Sequence, residues 1–143
     1  MIIRKAKKED FKEIFELLLQ LSTKNKKDKA AIKKSYEQSL KLKDSFDIVA
    51  IENKEVVGYA SGGLCYALWA RGYVFWIHEL VTSKKHRRKG IAKKLILELE
   101  KIAKKRKAKQ MFLATQKERK PAISLYSRMD YVPSKNYYLR KFF

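Results

Sequence analysis

Apolar residues recur along the chain with two different periods, and the changes of period mark the elements. Ile2 to Ala6 alternates and reads as a first strand. Glu9 and Asp10 stand where a helix start favours acids, and Phe11, Ile14, Phe15 and Leu18 follow at helical spacing. That pattern predicts an amphipathic helix to about Leu21. The polar segment Ser22–Lys29 reads as a loop, with Asp28 as cap of a second helix presenting Ile32, Tyr36 and Leu40 on one face.

From residue 46 the period shortens. Phe46–Glu52 and Glu55–Tyr66 are apolar, β-branched runs separated by Asn53-Lys54, the pattern of a hairpin. Gly62 and Gly63 predict a bulge or a close backbone approach late in the second run. Arg71–Val81 reads as a third, aromatic-rich strand. A basic segment, Ser83–Gly90, then opens a long helix with Ala92, Leu95, Ile96, Leu99, Ile102 and Ala103 on one face. Gln110–Thr115 reads as a short strand, and a helix from about Pro121 turns Ala122, Leu125, Tyr126 and Met129 inward. Tyr137–Lys141 reads as a closing strand. The order β-α-α-β-β-β-α-β-α-β predicts a mixed α/β sheet covered by helices.

Length and composition change this picture little. The 143 residues suit one domain, residues 1–143, without repeat or linker. Hydrophobic content of 45% with 12% aromatics fits a packed core. Cys65 is the only cysteine, so neither an internal disulfide nor a thiolate zinc site can form. Neither a secretory h-region after Met1 nor an apolar run of about 20 residues occurs, and a cytoplasmic location is expected. Charge matters more. At +20, the surface attracts polyanions, whether nucleic acid, anionic lipid or a phosphate-bearing cofactor. The lysines are spread along the whole chain, the pattern of a solvated surface rather than of one binding footprint.

The strand–basic loop–helix stretch carries the most chemistry. Ile77 to Thr82 delivers the chain to a turn holding Arg87, Arg88, Lys89 and Gly90, and the helix begins at Ile91 and Ala92. Free amides at a helix start bind phosphate where the backbone can be approached closely. Gly90 and Ala92 keep that approach open, and the basic side chains add charge, so a pyrophosphate-sized anion is expected here. The spacing is not that of a P-loop, and no G-x-G-x-x-G occurs.

Arg87-x-x-Gly90-x-Ala92 after an apolar strand resembles the R/Q-x-x-G-x-G/A signature of the GNAT N-acetyltransferase superfamily. The resemblance runs from the Ile2-Ile3-Arg4-Lys5-Ala6 start through Val57-Gly58-Tyr59-Ala60 to Lys120-Pro121-Ala122-Ile123-Ser124-Leu125-Tyr126, covering essentially the whole chain. It implies a mixed, mostly antiparallel central sheet flanked by helices, with a splayed strand pair that binds acyl-CoA. It further implies transfer of an acetyl group from acetyl-CoA to a primary amine by direct attack in a ternary complex, with no metal.

By the same resemblance, the backbone of Leu80, Val81 and Thr82 would pair with the pantetheine arm like an added strand. The amides of Arg88, Lys89, Gly90, Ile91, Ala92 and Lys93 would wrap the pyrophosphate, with Arg87 among the basic side chains on the adenosine phosphates. Tyr126 matches the tyrosine placed near the thioester sulfur. A thiol has a pKa of ~8.5 and a phenol ~10, so that hydroxyl can hydrogen-bond or protonate a departing thiolate. His78 or Glu79 on the motif strand would take the proton from the ammonium. Strand neighbours face opposite sides, so both line one slot only if a bulge intervenes. Two positions depart from the family pattern. Arg119 stands where relatives often carry a cofactor-contacting Asn, and Asp130 stands where they carry Gly before the closing aromatic, Tyr131.

The acceptor is less defined. Tyr66, Trp69, Tyr73, Phe75 and Trp76, and Tyr137, Tyr138, Phe142 and Phe143, read as core, as an acceptor pocket, or as the contact of a homodimer. A small amine, an amino acid or a peptide amino group all remain open, while the +20 charge disfavours a polyamine. The rival readings are a basic nucleic-acid-binding module and an inactive coenzyme A sensor on the same fold. The charge alone predicts weak, non-specific nucleic-acid binding, although no helix-turn-helix, zinc-finger or RRM signature occurs.

Overall fold

The computed structural model describes residues 1–21 and 28–143. Among them, strands β1 (Ile2–Lys5), β2 (Ser45–Glu52), β3 (Glu55–Ala67), β4 (Gly72–Thr82) and β5 (Gln110–Phe112) lie side by side in chain order in one sheet. The first four pair antiparallel, and β5 joins parallel to β4. Helices α1 (Phe11–Leu21) and α2 (Lys29–Ser39) cover one face, and α3 (Ile91–Lys105) and α4 (Lys120–Ser127) lie on the other. None of the described helices is long and apolar enough to cross a membrane. This is the expected mixed, mostly antiparallel α/β sheet.

Two apolar layers hold it together. Phe11, Ile14, Phe15 and Leu17 of α1 and Tyr36 of α2 pack on Val49, Val56, Tyr59 and Val81. Ile91, Leu95, Ile96, Leu99 and Ala103 of α3 pack on Ile48, Ala50, Val57, Ala60, Phe75 and Ile77. The alternation read from the sequence thus sorts each strand between two helical layers. The start of the chain is pinned by Arg4, whose two terminal nitrogens donate to the Asp10 carboxylate at 2.7 and 2.9 Å. Asn53 and Lys54 both take positive φ (50° and 66°), the two-residue turn that matches the twist of a hairpin. At Gly62 a Cβ would lie 2.3 Å from the buried Phe75 ring, so only glycine lets that ring pass under β3.

Several expectations need correction. Tyr137–Lys141 is not a strand. The tail pairs with none of the described strands, and Tyr137 and Leu139 are 94% and 89% exposed. Strand-forming composition needs a half-buried surface to fit, and the tail meets none. The strand expected over Gln110–Thr115 pairs only to Phe112, because the chain then leaves β4. Asp28 occupies the cap position of α2 without a side-chain cap bond. The inward residues of α4 are half-buried rather than buried. The loop expected over Ser22–Lys29 lies for residues 22–27 outside the described residues.

Asp130 has φ +65°, the left-handed conformation that suits glycine. Asp130→Gly is therefore expected to stabilise the protein by up to about 1 kcal/mol, since the left-handed cost of ~1–2 kcal/mol exceeds the flexibility cost of glycine. A melting temperature raised by about 2–4 °C would show it.

Candidate functional site

The site begins where two strands part. β4 and β5 share the pairs Val74–Gln110, Phe75–Met111 and Trp76–Phe112, after which β4 continues to Thr82 without β5. Beyond Trp76, β4 therefore keeps β3 on one side and presents its other edge to a gap. A cavity of about 400 Å³ fills the gap, within the ~300–1,000 Å³ usual for ligand sites. Its walls include Ile77 to Leu80 of β4, Leu113 to Gln116 after β5, and Arg119, Ala122 and Tyr126 at α4.

The bulge that the sequence reading required is present on β4. Ile77 pairs with Gly62 and Glu79 with Ser61, leaving His78 as the extra residue. A bulge lets consecutive side chains serve one region, and His78 and Glu79 both line the cavity. Glu79 shares its face with Tyr59 and the α1 layer, whereas Tyr126 packs with the α3 layer. Both line the slot because the sheet is open between them.

Glu79 and Tyr126 differ in chemistry. Ser61 donates its hydroxyl to Glu79 Oε2. Burial, and next the nearby Asp47 charge, push the Glu79 carboxyl up to about 6. Such a group is ionised at neutral pH yet close enough to it to accept a proton efficiently. Burial also raises the Tyr126 phenol above its ordinary value, opposed by the Arg119 cation. A phenol above 10 is a weaker acid than a thiol, so its hydroxyl suits hydrogen-bonding a thiolate better than surrendering a proton to it.

The basic loop follows β4 in the expected way. After Thr82 come one 3-10 turn, Lys84–His86, then exposed Arg87, Arg88, Lys89 and Gly90. Gly90 is the N-cap of α3 with φ +76°, and a Cβ there would meet nothing within 4 Å. Arg88 also has positive φ, 66°. Lys94 donates to Gly90 O at 3.1 Å, which starts the helical pattern and leaves the amides of Ile91, Ala92 and Lys93 without a carbonyl one turn back. The walls of the slot include Leu80 and Arg119 but not Val81, Thr82 or the loop residues Arg87 to Lys93. The Val81 side chain is buried toward α1, so only its backbone can serve a ligand in the gap.

A profile of the acetyltransferase (GNAT) family matches residues 9–131. The chain belongs to the GNAT acetyltransferase family. No curated protein matches it closely enough to count. Solved structures share the fold. A protein described as a transcriptional regulator from Bacillus halodurans C-125 is 23% identical, with TM-score 0.89 over 99% of both chains. A ribosomal-protein-alanine N-acetyltransferase from Brucella melitensis biovar Abortus 2308 is 19% identical, with TM-score 0.80 over 99% of this chain and 100% of that one. An aminoglycoside 6'-N-acetyltransferase from Acinetobacter haemolyticus is 17% identical, with TM-score 0.79 over 99% of both.

This GNAT-type N-acetyltransferase has a second cavity, of about 360 Å³, that shares His78 with the slot. Leu42 to Ser45, Gly63 to Cys65 and Trp76 complete its lining. The aromatic residues noted in the sequence have different fates. Phe75 is core, Trp76 stacks on Phe112 at 4.8 Å beside this cavity, and Tyr66 and Trp69 are exposed. Sequence reasoning missed Ser61 and Asp47 behind Glu79. The one available signal was an acid, Asp47, inside the apolar run Phe46–Ala50.

Proposed function

We propose that the protein transfers an acetyl group from acetyl-CoA to a primary amine, held on a small amine, an amino acid or a peptide. The observation that carries this reading is the meeting of His78, Glu79 and Tyr126 in one slot along the free edge of β4. The fit of the donor rests on that edge, on the left-handed Gly90 and on the exposed cations before α3. The amides from Arg88 to Lys93 would hold the pyrophosphate, and Leu80 to Thr82 would hold the pantetheine arm by backbone alone.

Glu79 would accept a proton from the entering ammonium, directly or through a water. The freed amine nitrogen forms a bond to the thioester carbonyl carbon, the carbon–sulfur bond breaks, and the sulfur departs with its electron pair. The surplus proton of the nitrogen passes through solvent to that sulfur, leaving a neutral amide and a thiol. Tyr126 donates a hydrogen bond to that sulfur as charge grows on it. Arg119 stands at the rim of the slot, where it would meet a donor phosphate in place of the usual Asn. The cavity beyond His78 gives the acceptor its own approach, along which Trp76 and Leu64 would contact its apolar part.

Calorimetry with acetyl-CoA, followed by thiol release over a panel of amines, tests the reading. Binding that raises the melting temperature, with turnover on at least one amine, is the expected result. Binding without turnover would favour the sensor reading, and a Kd weaker than about 1 mM would remove the enzyme reading. Gly90→Asn sharpens the test, because Asn tolerates positive φ and adds only a side chain in the approach. Acetyl-CoA affinity should fall about tenfold or more. Unchanged affinity in that folded variant would show that the phosphates lie elsewhere.

A further inference from the structure

We propose that Asp47, which lies outside both cavities, is a positioning residue for Glu79, acting through a side-chain row that crosses β2, β3 and β4. The proposal rests on the reading of Glu79 as the group that accepts the ammonium proton.

The row follows from register. Asp47 pairs with Ser61, and Ser61 pairs with Glu79, so the three side chains stand in line on one face of neighbouring strands. Tyr59, two residues along β3, shares that face and donates its hydroxyl to Asp47 Oδ1 at 2.7 Å. Ser39 of α2 donates to Asp47 Oδ2 at 2.8 Å. Both oxygens of Asp47 therefore act as acceptors, the pattern of a carboxylate. Ser61 completes the line by donating to Glu79.

Composition makes this row unusual. The chain carries 35 Lys and Arg against 15 Asp and Glu. Asp47 is 3% exposed, yet among the described residues no ion pair includes Asp47 or Glu79. A buried carboxylate serving stability alone is usually paired with a cation. Here two acids stand two strands apart, with hydroxyl groups donating to each. Across a buried face, where little water screens them, like charges raise each other's proton affinity, and the Asp47 charge is the second cause, after burial, of the raised Glu79 carboxyl. The groups around Glu79 are Asp47 from β2, Tyr59 and Ser61 from β3, His78 on its own strand, Tyr126 from α4, and Arg119 just before α4. From α1, Leu21 contributes only apolar surface.

Asp47→Asn keeps the shape and removes the charge. The Glu79 titration, followed by carbon NMR of the labelled carboxyl and assigned against Glu79→Gln, is expected to move from about 6 toward the ordinary 4.5. The acid limb of kcat/KM should move the same way, with the plateau falling by less than about tenfold as the base weakens. Ser61→Ala removes a donor to Glu79 and leaves the Asp47 charge, so its midpoint should move upward. That opposition of sign is one that general loosening of the sheet does not produce. A folded Asp47→Asn protein whose Glu79 midpoint stays at the wild-type value would overturn the proposal. So would a downward shift in Ser61→Ala, which also decides the matter if Asp47→Asn fails to fold. Because the NMR midpoint needs no turnover, an inactive protein would count against the transferase reading and still test the row.

Discussion

Glu79→Gln is expected to lower acetyl transfer by about 10²–10⁴-fold and, at neutral pH, to make the protein more stable. The two effects share one cause. Burial and then Asp47 raise the folded-state Glu79 carboxyl from 4.5 to about 6. The folded chain thus binds this proton more tightly than the unfolded chain does. Stability is lost as pH rises from about 4.5 through 6, and it stays lost above, by about 2 kcal/mol. A neutral glutamine of the same shape escapes that cost. Denaturation at several pH values should show the variant ahead of wild type at pH 7.5, with the gap closing near pH 4.5. Turnover near the wild-type rate would pass the base role to His78 or to water. A gap that ignores pH would mean that Glu79 is not desolvated.

Tyr126→Phe should lower turnover by roughly ten- to a thousandfold, the share of a leaving-group hydrogen bond worth ~1.4–4 kcal/mol. Acetyl-CoA affinity should hardly change, because that bond strengthens only as charge develops on sulfur. The ring itself is retained, and with it the edge contact to Tyr131 at 6.2 Å. Among the described residues the Tyr126 hydroxyl makes no hydrogen bond that the substitution would break, so the melting temperature should hold. A lowered melting temperature with normal turnover would make Tyr126 a packing residue and nothing more.

Local pattern was enough for most elements and insufficient for the site. The hairpin at Asn53-Lys54 and the inward face of α3 were legible because each depends on residues near in sequence. Gly62 was legible because a glycine inside an apolar strand itself signals a close approach, although not that Phe75 makes it. The bulge was legible only as a requirement: alternation along β4 does not say where an extra residue enters, whereas the pairs Gly62–Ile77 and Ser61–Glu79 place it at His78. Asp47 was invisible as a partner of Glu79 for the same reason, since the two meet through the register of three strands. The tail misled in the opposite direction. Tyr137 to Lys141 has the composition of a strand, but composition names no neighbour, and β5 ends at Phe112.

The early parting of β4 and β5 has a counterpart in amide hydrogen exchange. Slow exchange between these strands should be confined to the rungs from Val74 to Trp76. Past that point, amides of β4 that point away from β3 are open to solvent in the free protein and should exchange quickly. A ligand lying along the edge would slow them one by one, in the order in which it covers them. The last protected amide on β4 would then mark, residue by residue, how far into the slot the ligand reaches.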